Sequence, residues 1–196
     1  MFTGIIESTG RVEAVLPSGT NTSFWISSPI SQELTIDQSI SHNGVCLTVE
    51  EVVNDRHRVT AIQETLNKST LGHWQQGDEV NLERCMIMNG RIDGHIVQGH
   101  VDTRGKCLWV KEQGGSHVYR FSFPESFASL IVEKGSICLN GISLTIFDIG
   151  RNEFSVAIIP YTFENTNIKS VKQGDAVNLE FDIVGKYVAR FEGLKR

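Results

Sequence analysis

Along most of this chain apolar and polar residues alternate with a period of two, the pattern of a strand with one face in a core and the other in water. The alternation is plainest from Ser39 to Val53, on either side of Asn43-Gly44, a pair suited to the positive φ of a tight turn. Val59-Thr60-Ala61-Ile62 and Phe154-Ser155-Val156-Ala157-Ile158-Ile159 are β-prone, and they end at the polar pairs Glu64-Thr65 and Tyr161-Thr162. Thr65 and Thr162 are expected to cap short helices running to Leu71 and Ile168. Gly77-Asp78 and Gly174-Asp175 then turn the chain into last strands, Val80 to Arg84 and Val177 to Asp182. The period changes only at the end. There Ile183, Val184, Tyr187, Val188, Phe191 and Leu194 recur at helical spacing and predict an amphipathic tail over 183–196.

The elements come in two sets. Asn43-Gly44-Val45-Cys46-Leu47-Thr48 returns as Asn140-Gly141-Ile142-Ser143-Leu144-Thr145, an offset of 97 residues. Gly77-Asp78-Glu79-Val80-Asn81-Leu82-Glu83 returns as Gly174-Asp175-Ala176-Val177-Asn178-Leu179-Glu180 at the same offset of 97. Gly4, Gly10 and Val15 match Gly99, Gly105 and Val110 at an offset of 95, so two residues were gained in between. A shared register over separate blocks marks a duplicated domain. The expected architecture is all-β: two tandem closed antiparallel barrels, six-stranded and of Greek-key type, over 1–95 and 96–192, with a short C-terminal helix. Closure is the usual way for so many short strands to hide their edges.

Composition narrows the functions open to such a chain. Its 196 residues, 40% of them apolar, can form two cores of about 100 residues each. Eighteen basic against 23 acidic residues are scattered without a basic run, which argues against nucleic acid as a partner. No apolar run approaches the roughly 20 residues of a membrane span, and Met1 to Glu7 lacks the features of a signal peptide. Cys46, Cys85, Cys107 and Cys138 form no CxxC pair and no metal-type spacing with histidine. Free thiols in a cytoplasmic enzyme are the expectation.

Met1-Phe2-Thr3-Gly4-Ile5-Ile6-Glu7, Asn43 to Val49, Glu64-Thr65-Leu66, Val80 to Arg84, Gly94 to Asp102, Lys134 to Ile137, Gly141 to Thr145 and Ile159 to Thr162 together resemble the riboflavin synthase family, in order and over essentially the whole chain. The resemblance implies a dismutation: two molecules of 6,7-dimethyl-8-ribityllumazine give one riboflavin and one diaminopyrimidine. It implies no metal, no bound redox cofactor and a homotrimer, with each working site held between the first barrel of one subunit and the second barrel of another. Two similar pockets suit a reaction between two identical molecules. Holding both in register can offset on the order of 7–11 kcal/mol at the upper end.

The family motif places Cys46 where the second copy has Ser143, so both copies carry a nucleophile-type atom beside Leu-Thr. A lone strand cysteine is ordinarily a small buried apolar residue, but addition of a nucleophile at C7 of one lumazine gives this one a chemical use. His100 matches the family's active-site histidine and suits removal of a proton from the C7 methyl, whereas His95 is expected to be structural. Ser39 and Asp182 match positions tied to substrate activation. Phe2, Thr3, Gly4, Ile5 and Ile6 would ordinarily fray, yet their apolar start suggests a segment tied into a barrel, with Gly4 to Ile6 against the flat ring. The resemblance assigns Cys46, Leu47, Thr48, Thr60, Ala61, Ile62, Gln63, Glu64 and Thr65, with Gly99, His100 and Val101, to the first binding set. Ser143, Leu144, Thr145, Ala157, Ile158, Ile159, Pro160, Tyr161 and Thr162 form the second, with Lys134 reaching in from a neighbouring subunit. Tyr161 departs from the histidine or acid common at that place.

Two other readings compete. A non-catalytic lumazine protein would keep the fold and bind one chromophore; Cys46, His100 and Ser143 favour the enzyme. A flavin reductase barrel would need a glycine-rich βαβ unit for the nicotinamide, which 196 residues do not contain.

Overall fold

The computed structural model describes residues 1–194; the end of the expected tail, 195–196, lies outside the described residues. The first repeat forms β1 (Ser8–Ser18), β2 (Asn21–Ser27), β3 (Ser39–His42), β4 (Val45–Val53), β5 (Arg56–Ala61), α1 (Gln63–Lys68) and β6 (Glu79–Arg84). The second forms β7 (Thr103–Gln113), β8 (Ser116–Ser122), β9 (Ser136–Leu139), β10 (Ile142–Phe147), β11 (Glu153–Ile158), α2 (Pro160–Asn165) and β12 (Ala176–Phe181), followed by α3 (Ile183–Leu194). Each set closes into an antiparallel barrel, in the order β1, β2, β5, β4, β3, β6 and in the order β10, β11, β8, β7, β12, β9.

The turn signals act as the sequence suggests. Asn43 and Gly44 take φ of 46° and 80°, Asn140 and Gly141 take 45° and 83°, and each pair joins two strands in register. A bulge falls at the same place in both barrels, between Val12 and Ala14 and between Cys107 and Trp109, and bends the long first strand so that the wall can close. One expectation fails. Thr65 and Thr162 do not cap their helices: α1 and α2 begin two residues earlier, after Ile62 and Ile159, without a side-chain cap. Pro160, whose fixed φ suits a first helical position, starts α2. The hydroxyls that do cap are those of Ser69 and Thr166, which accept from the Leu71 and Ile168 amides at the following 3₁₀ turns.

The barrels meet back to back across an approximate two-fold axis. A Cβ on Gly44 would lie 2.8 Å from the Gly141 nitrogen, so only glycine permits the approach of the two turns. Around them Asn81 Nδ2 donates to Asn140 O and Asn178 Nδ2 donates to Asn43 O, both at 2.9 Å. Asn43 and Asn140 in turn accept from the Asn81 and Asn178 amides at 2.8 Å. The repeated Asn-Leu-Glu of each last strand therefore supplies a buried, fully paired polar seam between the barrels, because unpaired amides there would cost stability.

Candidate functional site

Two short segments cross between the barrels and build the candidate sites. Residues 1–6 and 96–101 run antiparallel: Phe2 N donates to Val97 O at 2.7 Å and Val97 N donates to Phe2 O at 3.0 Å. Beyond this bridge each segment reaches the other repeat. Cys46 N donates to Gly99 O at 2.9 Å, and Ser143 N donates to Gly4 O at 2.7 Å. Val101 packs on the first barrel's core and Ile6 on the second's. Gly4 and Gly99 have φ of 77° and 81°, and a Cβ on either would press into the Cβ of Ser143 or Cys46, at 2.6 and 2.5 Å. The N-terminal segment is thus tied in, to the second barrel through Gly4 and to the first through the Glu83 side chain and the Leu82 carbonyl.

On the first barrel Cys46, Glu64, Thr65, Gly99, His100 and Val101 line one cleft of about 210 Å³ with Val45, Lys68 and Ser69. Burial is the main influence on the Cys46 thiol and pushes its pKa up; the Ser39 side chain opposes this by hydrogen bonding to it. Ser39 lies on the neighbouring strand opposite Thr48 and its carbonyl accepts from Cys85 Sγ at 3.4 Å. Leu47 and Ala61 point into the core, so only their backbone is open to a ligand. Thr60 pairs outside with Ser23 at 2.8 Å and Glu50 at 3.0 Å, while Thr48, Ile62 and Gln63 are exposed.

On the second barrel Ser143 Oγ lies 2.7 Å from His95 Nδ1. Burial lowers the His95 pKa, with Asp182 opposing, so the ring is neutral near pH 7 and able to take a proton from the hydroxyl. His95 is therefore a candidate that the sequence left as structural. Its partner lies 48 residues away, and no local pattern joins them. Asp182 Oδ1 accepts from Val184 N at 3.0 Å and caps α3. Leu144 and Thr162 are half-buried, Thr145, Ala157, Ile159, Pro160 and Tyr161 are exposed, and Ile158 is in the core. Lys134, at φ 66°, holds its ammonium 5.7 Å from the centre of the Phe147 ring of its own barrel. Phe2 is fully buried beside Val97 and Cys138.

The lumazine-binding domain family matches the chain twice, over residues 3–85 and 98–182. Riboflavin synthase from Actinobacillus pleuropneumoniae is 41% identical over 192 residues, covering 97% of this chain and 89% of that one. The one from Mycobacterium tuberculosis (strain CDC 1551 / Oshkosh) is 43% identical over 198 residues, with 97% of both chains covered. The chain belongs to the riboflavin synthase family. The same two-barrel fold occurs in LumP, solved with riboflavin at a TM-score of 0.86 and 22% identity and with 6,7-dimethyl-8-(1'-D-ribityl) lumazine at 0.84 and 21%. Each LumP structure covers 92% of this chain and 99% of its own. Both family matches begin within a crossing segment, at residues 3 and 98, and end beside a buried glutamate, Glu83 or Glu180. The crossing segments are thus part of the riboflavin synthase repeat itself.

Proposed function

We propose that this chain makes riboflavin by dismutation, moving a four-carbon unit between two molecules of 6,7-dimethyl-8-ribityllumazine. The observation that carries this reading is the pair of matched sites, Cys46 bonded to Gly99 and Ser143 bonded to Gly4, each against a crossing segment. Two equivalent places for two identical substrates are what the reaction requires. LumP, which shares the two-barrel fold, is solved with this lumazine and with riboflavin, the substrate and the product of that reaction.

At the first site Cys46, aided by Ser39, supplies the group that adds at C7 of one lumazine, and His100 moves the proton of the C7 methyl. Gly99 to Val101 and Thr60 to Thr65 bind the ring edge, with Cys46 to Thr48 along one side. At the second site Thr3 to Ile6, Ser143 to Thr145 and Ala157 to Thr162 do the same, Asp182 assists activation, and Lys134 serves a neighbouring subunit's substrate. Each of the two repeats, 1–95 and 96–192, supplies the barrel for one substrate, and the crossing segment of the other repeat completes its site.

The first cleft, at about 210 Å³, is below the roughly 300–1,000 Å³ of ordinary small-molecule sites, which suits a half-site closed by another subunit. A homotrimer provides that closure. Val184, Tyr187, Val188, Phe191 and Leu194 of α3 are each more than half exposed and offer it an apolar stripe. Among the described residues no helix is long and apolar enough to cross a membrane, and the place of action we propose is the cytoplasm. The test is direct: incubate the protein with the lumazine and follow riboflavin absorbance. No riboflavin from correctly folded trimer would end this reading.

A further inference from the structure

Two buried carboxylates stand behind the crossing segments. Glu180 on β12 is 2% exposed; its Oε1 accepts from Gln98 N at 2.7 Å and its Oε2 from Gly99 N and His100 N, both at 2.9 Å. Glu83 on β6 is 3% exposed; its Oε1 accepts from Thr3 N at 2.6 Å and Thr3 Oγ at 2.8 Å, and its Oε2 from Gly4 N at 3.0 Å. Successive backbone N–H groups turned inward form an anion-binding concavity, here filled by a side chain from the protein itself.

The wiring is crossed. Glu180 belongs to the second barrel, but the Gly99 it holds gives its carbonyl to Cys46 N of the first, and the His100 it holds lines the same cleft. Glu83 belongs to the first barrel, and the Gly4 it holds accepts from Ser143 N of the second. We infer that Glu180 and Glu83 are positioning residues, each setting the geometry of the candidate site on the opposite barrel through the backbone of a crossing segment.

The chemistry requires an ionised carboxylate. It offers only acceptors, whereas an amide would turn one NH₂ toward an N–H and lose a charge-assisted bond. Burial pushes both carboxyl pKa values up and the converging N–H groups oppose that rise, so each carboxylate is held by the segment that it holds. A plain staple between barrels would make the same contacts. It differs in its consequences, because a staple acts on the whole fold and a positioning residue acts on one site.

The inference rests on the proposed function only for its effect on turnover. Its structural part is read independently, by amide hydrogen exchange and by mass-localised alkylation of the trimer with iodoacetamide. In Glu180→Gln the amides of Gln98, Gly99, His100 and Cys46 should exchange faster and Cys46 should alkylate faster, each by about tenfold, the loss of roughly one charge-assisted bond. The amides of Thr3, Gly4 and Ser143 should stay at parent rates, and Glu83→Gln should show the mirror image. In the assay Glu180→Gln should lower kcat by about tenfold or more with KM near the parent value, because the reacting groups are misplaced rather than the pocket removed. If Glu180→Gln does not fold, Glu180→Asp, charged but one methylene shorter, must give the same local pattern. Faster exchange spread over both barrels, or unchanged exchange at Cys46, would overturn the inference. A parent protein that makes no riboflavin would sink the functional reading and leave the exchange test standing.

Discussion

The first barrel buries a chain of polar side chains where the second buries a leucine and two phenylalanine rings. His42, His57 and Ser28 occupy the places of Leu139, Phe154 and Phe123 at the repeat offsets, and all of these residues are buried. In the first barrel His42 Nδ1 lies 3.2 Å from Ile40 O, so it carries the hydrogen and His42 Nε2 is the acceptor. His57 Nε2 then donates to it at 2.9 Å, which leaves His57 Nδ1 to accept from Ser31 Oγ at 2.9 Å, and Ser28 donates to Ser31 at 2.8 Å. Every hydrogen has one direction, and both rings are neutral. Burial pushes the His57 pKa down to about 4 and that of His42 well below the usual value. In the second barrel Phe154 packs at 5.8 Å from both Phe121 and Phe123, and Phe181 lies against Phe123 and Phe127. The same wall thus tolerates either filling, but the polar one holds only while each ring keeps a single proton.

Four experiments bear on this contrast between the barrels. The largest effect is expected where each barrel ends. The second barrel continues into α3, while the first passes into a linker. Truncation after Asp182 should abolish the proposed trimer and with it nearly all turnover, since a lone helix of 12 residues is marginal and its exposed stripe needs a partner. Light scattering and an assay on one sample check this. A truncated protein that stays trimeric would put the contacts on the barrels, and an active monomeric parent would refute the inter-subunit site.

Next, Phe154→His gives the second barrel a histidine without Ser31 or His42 to pair with. It should cost about 4 kcal/mol in urea unfolding, from lost packing and an unpaired ring. A cost below about 1 kcal/mol would show that the second barrel can satisfy the ring by itself.

Acid should divide the barrels. A histidine whose folded pKa lies below its unfolded value contributes stability that is whole above the unfolded value, about 6.5, and is lost as pH falls toward the folded one. For His57 the window runs from there to about 4; protonating His42 sets N–H against N–H across the 2.9 Å contact, and protonating His57 at Nδ1 removes the acceptor of the Ser31 hydroxyl. The loss should approach about 3 kcal/mol by the bottom of that window. Unfolding of the parent and of His42→Leu/His57→Phe across this range checks it; the double variant should lack this component.

The smallest effect is expected at the matched positions of Cys46 and Ser143. Cys46→Ser gives the first site the atom of the second. It should bind riboflavin nearly as the parent does and turn over about tenfold more slowly, a change of about 1.4 kcal/mol. Unchanged single-turnover rates would remove the thiol from the chemistry.

The duplication, the strands, the two Asn-Gly turns and the equivalence of Cys46 and Ser143 were legible in the chain because each is a local or periodic signal. Alternation assigns a face to a side chain, and a turn dipeptide assigns a backbone angle, with no knowledge of the rest of the molecule. Even there a local signal misled once. Thr65 and Thr162 have the character of caps but sit inside helices that Ile62 and Ile159, both extended, precede. Tertiary structure alone decided who stands opposite whom. That Gly4 serves Ser143, that Gly99 serves Cys46, that His95 meets Ser143 and that Glu83 and Glu180 act across the barrels are pairings over 48 to more than 130 residues. They depend on two barrels docking about an approximate two-fold axis, and such docking is a property of closed surfaces. A single strand carries the asparagines and glutamates of that surface, and only the folded pair gives them partners.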